Sequence, residues 1–445
     1  MVFPDKFLTH LLSCPGFDQE RFVAAHELKP PVSLRLNDNK KYAHSFLTKV
    51  PWSENGYYLA ERPQFVFDPL FHAGAYYVQE ASGMFVEYIL KQIPEINQQL
   101  KVLDLCAAPG GKSTIIASVI TEESLLVSNE IIKTRISVLK ENLTKWGKTN
   151  VVVSNNDPVD FKSLPEFFDL ILVDAPCSGS GLFRKDKASM QEWSEENVFH
   201  CQKRQKRILN DILPSLKVGG KLIYTTCSFS KEENEDIVQY LITEFGMSVE
   251  LLNIPSEWNI ISTEFGHRFY PDKLEGEGFF ACILRKNIEN KSQGDIGSGS
   301  YMPYAAASLE EVNNITPYII NPEKYIFFIF KDSIFSIQKE FYNTIKKLAS
   351  CLRVVQAGTE IGKLIRGELI PAHAFVMSKL LNTAIPAIEI DELTAIQYLR
   401  KENILINTDK SGWAICTYQN IPLGWIKILP NRVNNYYPVD WRIRK

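Results

Sequence analysis

The sequence predicts an α/β protein built on a parallel sheet with helices on both faces. A small α/β cap precedes the sheet and a β-rich region follows it. Between about residues 96 and 286, short apolar runs alternate with stretches of helical periodicity, as in successive βαβ units. Near the start of that segment an apolar run (102–105) enters a small glycine-bearing loop and then a helical stretch (113–120). Acidic residues then fall where the predicted strands end, the place where such sheets bind ligands. The 445 residues suffice for two or three domains, and 45% hydrophobic with 23% charged residues is a globular balance. A net charge of −3 excludes a global basic field, so nucleic acid must be met by local patches. No apolar run approaches a membrane span, and the N-terminus lacks a signal-peptide pattern. The eight cysteines lack metal-ligand spacing. Reduced thiols, no metal site and a cytoplasmic location are therefore expected.

In the first unit (1–95), segments 7–12 and 20–26 read as helices, and 32–37 and 56–59 as strands. Arg35, Arg62, His72, Tyr76, Tyr77 and Gln79 are candidate substrate contacts, with core or surface packing as the alternative for each. A helix runs from about 79 towards Lys91. In the second unit (96–286) the strands are 101–105, 125–128, 151–153, 169–173 and 222–225, with a late strand at 279–284. The helices are 131–146, placing Ile132, Ile136, Leu139 and Leu143 on one apolar face, 198–216, stopped by Gly219 and Gly220, and 233–245.

The loop Cys106, Ala107, Ala108, Pro109, Gly110, Gly111, Lys112 matches neither phosphate fingerprint. There is no G-x-G-x-x-G, and Cys106 stands where a Walker loop needs its first glycine. Glu130 ends the second strand 26 positions after Asp104, where an acidic group takes ribose hydroxyls, and Asp157 and Asp174 end the next two. A ribose-bearing cofactor without phosphates fits this set, S-adenosyl-L-methionine first. Cys177 follows the fourth strand and Cys227 the fifth. Those strands are expected to be neighbours, which places both thiols at one rim beside the cofactor.

The motifs LDLCAAPGGKST (103–114), NEIIKTR (129–135), DAPCSGSG (174–181) and TTCS (225–228) resemble those of the NOL/NOP/Sun family of RNA cytosine-C5 methyltransferases. Segments 56–82, 181–186, 268–280 and 422–438 are most similar to the bacterial RsmF type, and the resemblance spans nearly the whole chain. It implies a Rossmann-like class I methyltransferase sheet using S-adenosyl-L-methionine. By resemblance Cys227 is the nucleophile that adds to cytosine C6, which turns C5 into a carbon nucleophile. Cys177 then serves product release, and Asp174 hydrogen-bonds the base near N3. Lys112 lowers the Cys227 thiol pKa or steadies the base. The cofactor set is residues 106–112 around the methionine end, Glu130 on the ribose, Asp157 at the adenine, and Asp174. Arg135 supports this region or forms a surface i,i+4 contact.

Arg184, Lys185 and Lys187, and Lys203, Arg204, Lys206 and Arg207, are either phosphate contacts or a solvated charged face. Residues 287–300 read as a flexible linker. The remainder (301–445) carries β-like runs at 325–330, 353–355, 413–416 and 425–428 and helices at 341–348 and 392–400. By resemblance it is an RNA-binding region with a PUA-like barrel. Lys427, Arg432, Arg442, Arg444 and Lys445, interleaved with Tyr436, Tyr437 and Trp441, suit an RNA strand. The expected substrate is small-subunit ribosomal RNA, the expected protein a monomer. Transfer RNA is the alternative substrate, and a non-catalytic ribosome-assembly factor the alternative function.

Overall fold

A computed structural model describes residues 2–46, 48–288, 305–382 and 384–444. All but the first two residues of the expected linker, and Lys445, lie outside the described residues. The centre is a ten-stranded mixed sheet. Its parallel part comprises β1 (Lys101–Asp104), β2 (Leu125–Asn129), β3 (Val151–Ser154), β4 (Phe168–Asp174) and β5 (Leu216–Thr226). β6 (Phe279–Arg285) pairs antiparallel with β5, and β7 (Val354–Ala357) antiparallel with β3. The order is β6-β5-β4-β1-β2-β3-β7, with Gly266–Phe269 and Ile261–Thr263 beyond β6. Chain order reverses between β1 and β4, so the ligand crevice of such a sheet lies beyond their carboxyl ends.

Successive strand residues point to opposite faces and feed two cores. Leu103, Leu125 and Val127 join Ile208, Leu209 and Ile212 of helix α3 (Glu195–Ile212) and Ile237, Val238 and Leu241 of α4 (Glu235–Phe245). Val102 and Leu126 join Ile115 and Ile116 of α1 (Gly111–Val119) and Leu139, Leu143 and Trp146 of α2 (Ile136–Trp146). Ser194 starts α3 by accepting from the Asn197 N–H, and Gly147, in a left-handed conformation, ends α2.

Two predicted helices are corrected. The helix expected from residue 131 begins at Ile136, after a 3-10 turn at Lys133–Arg135. The Glu130 carboxylate takes the Ile132 N–H at 2.8 Å and turns the chain there. Ile131 and Ile132 are left 47% and 48% exposed, so Ile132 is not on the buried face. The helix expected over 198–216, with Gly219 and Gly220 stopping it, stops at Ile212, because Pro214 in the following turn has no N–H to extend it. Both glycines lie inside β5.

The N-terminal unit holds helices Phe7–Leu11 and Gln19–His26 and the antiparallel sheet Gly56–Leu59, Val32–Leu36, Tyr76–Val78. After residue 305 come a five-stranded and a four-stranded sheet. Phe328, Phe335, Ile337, Leu348 and Leu352 pack into the same core as α3 and α4, and β7 extends the central sheet. Leu34, Phe65, Leu70 and Tyr76 share another core with Tyr398, Leu423 and Tyr437.

Candidate active site

β4 and β5 run side by side with Asp174 opposite Thr225, so the loops after them leave the sheet together. Cys177 Sγ and Cys227 Sγ meet at 3.0 Å. The hydrogen bond to Cys227, burial and the nearby Cys227 and Glu233 charges push the Cys177 thiol well above its ordinary range. Gly181 closes the first loop on the second. Its N–H donates to the Cys227 carbonyl at 2.8 Å, and a Cβ there would stand 2.4 Å from the Gly278 carbonyl oxygen.

Lys112 sits in the first turn of α1, whose N-cap, Gly110, has φ +113°. Its Nζ donates to Asp174 Oδ2 at 2.7 Å, and Thr225 Oγ1 donates to Asp174 Oδ1 at 2.7 Å. Burial works against the Lys112 ammonium, but the Asp174 carboxylate prevails and holds its pKa above the ordinary value. A fixed cation, a carboxylate with both oxygens oriented and two touching thiols therefore occupy one rim.

The predicted cofactor residues gather beside them. Ala107 N–H donates to the Asn129 carbonyl at 2.8 Å, and Asn142 Nδ2 to the Pro109 carbonyl at 2.8 Å. Glu130 is buried, accepting from Ala108 N–H at 3.3 Å. Arg135 braces the loop rather than forming a surface contact. Its Nη2 donates to the Ala108 carbonyl at 2.5 Å, and Nη1 lies 3.4 Å from Glu130 Oε2. Burial raises the Cys106 thiol pKa. Asp157 reaches the rim, but its carboxylate caps the next turn through Val159 N–H and pairs with Arg207 at 3.2 Å.

Three features went unforeseen. Asp104 is fully buried; Ser113 Oγ donates to its Oδ2 at 2.6 Å, while Oδ1 has no hydrogen-bond partner. Burial pushes its carboxyl up to about 7. Glu233 lies under both cysteine loops, and the acidic run 232–236 gave no sign of it, since such runs ordinarily read as a solvated helix start. Asn156 exchanges hydrogen bonds with the Arg353 backbone, and its own backbone pairs with the Asn129 side chain. That chain of bonds ties β7 to the end of β2, and no local pattern links residues so far apart.

Several candidate RNA or substrate contacts are structural instead. Arg184 has a side chain only 4% exposed, paired with Glu277 at 3.0 Å and bonded to the Gly276 carbonyl. Arg35 is buried, donating to Thr114 Oγ1 at 2.6 Å and stacking on Trp146. His72, Tyr76 and Tyr437 are buried too, the last between His72 and His373. Tyr77 and Gln79 lie against Gly111. Arg62, Lys185, Lys187, Lys203 and Arg204 stand at the surface.

Comparison with known proteins agrees with this geometry. Residues 91–285 match the family model described as 16S rRNA methyltransferase RsmB/F. Residues 3–81 match the N-terminal domain of 16S rRNA methyltransferase RsmF, and 385–443 the methyltransferase RsmF PUA domain. Ribosomal RNA small subunit methyltransferase F of Shewanella piezotolerans is 29% identical over 448 residues, covering 95% of this chain and 93% of that one. Its namesake in Aliivibrio fischeri is 29% identical over 468 residues, 98% and 97% of the two chains. A methyltransferase homolog protein from Pyrococcus horikoshii superposes with TM-score 0.53 at 29% identity, over 64% of this chain and 95% of that one. NSun6 from Pyrococcus horikoshii with SFG, 20% identical and covering 64% and 99% of the two chains, shares the fold at TM-score 0.54. From its N-terminal unit through its central sheet to its C-terminal PUA region, the chain belongs to the RsmB/F family of methyltransferases, in the RsmF type.

Proposed function

We propose that this enzyme methylates C5 of a cytosine in small-subunit ribosomal RNA, using S-adenosyl-L-methionine and a covalent cysteine adduct. The contact of Cys177 with Cys227, beside the Lys112–Asp174 pair, carries this reading. One thiol would suffice for addition; a second within 3.0 Å gives the adduct a proton-carrying group for its release.

The residues fit the donor. Asp104 offers a buried carboxylate oxygen with no partner, Glu130 keeps acceptor capacity beyond its two N–H bonds, and exposed Ile131 and Ile132 supply an apolar surface next to it. Carboxylates, an apolar platform and no phosphate cradle suit a nucleoside with a cationic amino-acid tail. When bound, S-adenosyl-L-methionine supplies a methyl group on a sulfonium, electrophilic enough for an activated C5. We assign the methionine end to Cys106, Ala107, Ala108, Pro109, Gly110, Gly111 and Lys112, the ribose to Glu130, with Arg135 bracing that loop, and the adenine side to the Asp157 turn.

The chain's own groups then divide the work. Cys227 adds to C6 of the flipped base and places electron density at C5. Asp174, oriented by Lys112 and Thr225, holds the pyrimidine edge near N3. After methyl transfer Cys177 relays protons: its thiol proton passes to the departing Cys227 sulfur and the C5 proton passes to Cys177, while the C–H electron pair re-forms the C5–C6 double bond and the C6–S bond breaks. We divide the chain into an RNA-binding cap (1–95), a methyltransferase domain (96–286), a linker (287–300) and an RNA-binding region (301–445), working as a monomer in the cytoplasm. No helix among the described residues is long and apolar enough to cross a membrane.

Bisulfite sequencing of total RNA from cells with and without the gene tests the substrate. One cytosine of the small-subunit RNA is expected to lose its mark on deletion. Loss confined to transfer RNA would move the enzyme to that substrate, and no loss anywhere would refute the activity.

A further inference from the structure

Glu233 takes no part in the bond-making steps, yet it is completely buried and has no ion-pair partner among the described residues. A carboxylate in that position is costly unless donors surround it. Here the donors come from the two cysteine loops and from α3. Glu233 Oε1 accepts from Ser178 N–H at 2.8 Å and Gln205 Nε2 at 3.3 Å. Oε2 accepts from Ser178 Oγ and Ser228 Oγ, each at 2.5 Å. Ser178 directly follows Cys177, and Ser228 directly follows Cys227. Gln205 Nε2 also donates to the Pro176 carbonyl, on the other side of Cys177, at 3.1 Å. Glu233 is itself fixed, because Tyr224 on β5 donates to its carbonyl at 2.7 Å.

We propose that Glu233 is a positioning residue for the methylation: one buried carboxylate that clasps the residues after both cysteines and sets the distance between the two thiols. This rests on the roles proposed for Cys227 and Cys177. Loops of this kind, rich in small polar residues, would otherwise sample many conformations. Hydrogen bonds to a charged acceptor are among the stronger ones available to hold them. One carboxylate shared by both loops keeps the thiols in register more directly than separate anchors would. It also puts negative charge near Cys177, which favours leaving the proton there.

Thiol crosslinking in the full-length protein reads the distance directly, independent of any RNA. Diamide converts two touching thiols to a disulfide; its N=N bond gains two electrons and two protons as the hydrazine. In the native protein the Cys177–Cys227 disulfide, identified by mass spectrometry, should form rapidly. Glu233→Ala should slow it at least tenfold, and Glu233→Gln, which keeps an acceptor for Ser178 N–H while the serine hydroxyls rotate to accept, should recover it to within about threefold. In methylation assays Glu233→Ala should lose at least a hundredfold in kcat, with the donor Kd and the RNA KM changed less than twofold. Should Glu233→Ala not fold, the double variant Ser178→Ala/Ser228→Ala replaces it, with the same slowing of the crosslink expected. A folded Glu233→Ala, or in its place the double variant, that crosslinks at the native rate would overturn the clasp. Slowed crosslinking in a protein whose native form methylates no RNA would instead confirm the clasp and refute the functional reading.

Discussion

Removing the Cys177 thiol should trap the enzyme on its substrate. The contact with Cys227 at 3.0 Å puts the Cys177 thiol beside the C6–S bond of an adduct, and its environment favours the protonated form. A positioned acid–base group contributes roughly 10²–10⁴ in rate, about 3–5 kcal/mol of barrier. If formation and release are balanced in the native enzyme, slowing release about a hundredfold leaves about 99% of the engaged Cys177→Ala enzyme as adduct. The assay is denaturing gel electrophoresis of enzyme mixed with donor and radiolabelled RNA. Cys177→Ala should show a shifted, nuclease-sensitive band, while Cys227→Ala and the double variant should show none. A band in Cys227→Ala and not in Cys177→Ala would reverse the two roles. No band in either, with donor and RNA binding intact, would refute covalent catalysis through this pair.

Glu130→Gln keeps the side-chain shape but removes the charge facing Ala108 and Arg135; donor affinity measured by calorimetry should fall about ten- to a hundredfold, the worth of ~1.5–3 kcal/mol of charge-assisted hydrogen bonding. Leu348→Ala, in the core shared with α3 and α4, should lower unfolding free energy by about 2–5 kcal/mol in urea titrations. A small effect would mean that residues 305–382 dock loosely. Asp104 should make the protein less stable as pH rises: its folded carboxyl, pushed up to about 7, stays protonated after the unfolded one has ionised near its ordinary 3.8. Stability should therefore decline from about pH 4 to about pH 7 and then level, and Asp104→Asn should flatten that slope in denaturation measured at each pH.

The parallel strands were legible because apolar runs alternate with amphipathic helices, and β1 to β5 overlap the runs expected; of their order, only the adjacency of β4 and β5 was read, and β5 starts six residues earlier than expected. The meeting of Cys177 and Cys227 followed from strand adjacency alone. Helix ends were read less well. The start of α2 depends on a side chain, Glu130, capturing a backbone N–H, and the end of α3 on Pro214 rather than on the glycines beyond it. Burial of charge was the main blind spot. Arg35, Arg184, Asp104 and Glu233 look like surface residues one at a time, and only long-range partners show why they are inside. Strand β7 was hidden for a related reason. Residues 353–355 read as a strand, but nothing near them says that their partner is residues 152–154, two hundred positions earlier.

The C-terminus of α2 shows why the terminal regions bear on the active site. Lys40, from the N-terminal unit, is buried there and donates to the Lys145 and Ala73 carbonyls, each at 2.6 Å. Asn37 donates to the Trp146 carbonyl at 3.0 Å. A cation at the end of a helix meets the negative end of its dipole, which compensates part of the burial that lowers the Lys40 pKa to about 7. Gly147 follows at once, packed so closely on the Met377 carbonyl that a Cβ would lie 2.3 Å from that oxygen. The N-terminal unit and the region after residue 305 therefore both grip the end of α2 as well as each other. At its other end α2 follows the turn of Glu130 and Arg135, which hold the loop at Ala108. Both outer regions thus contact one end of a helix whose other end adjoins the glycine-bearing loop at Ala108.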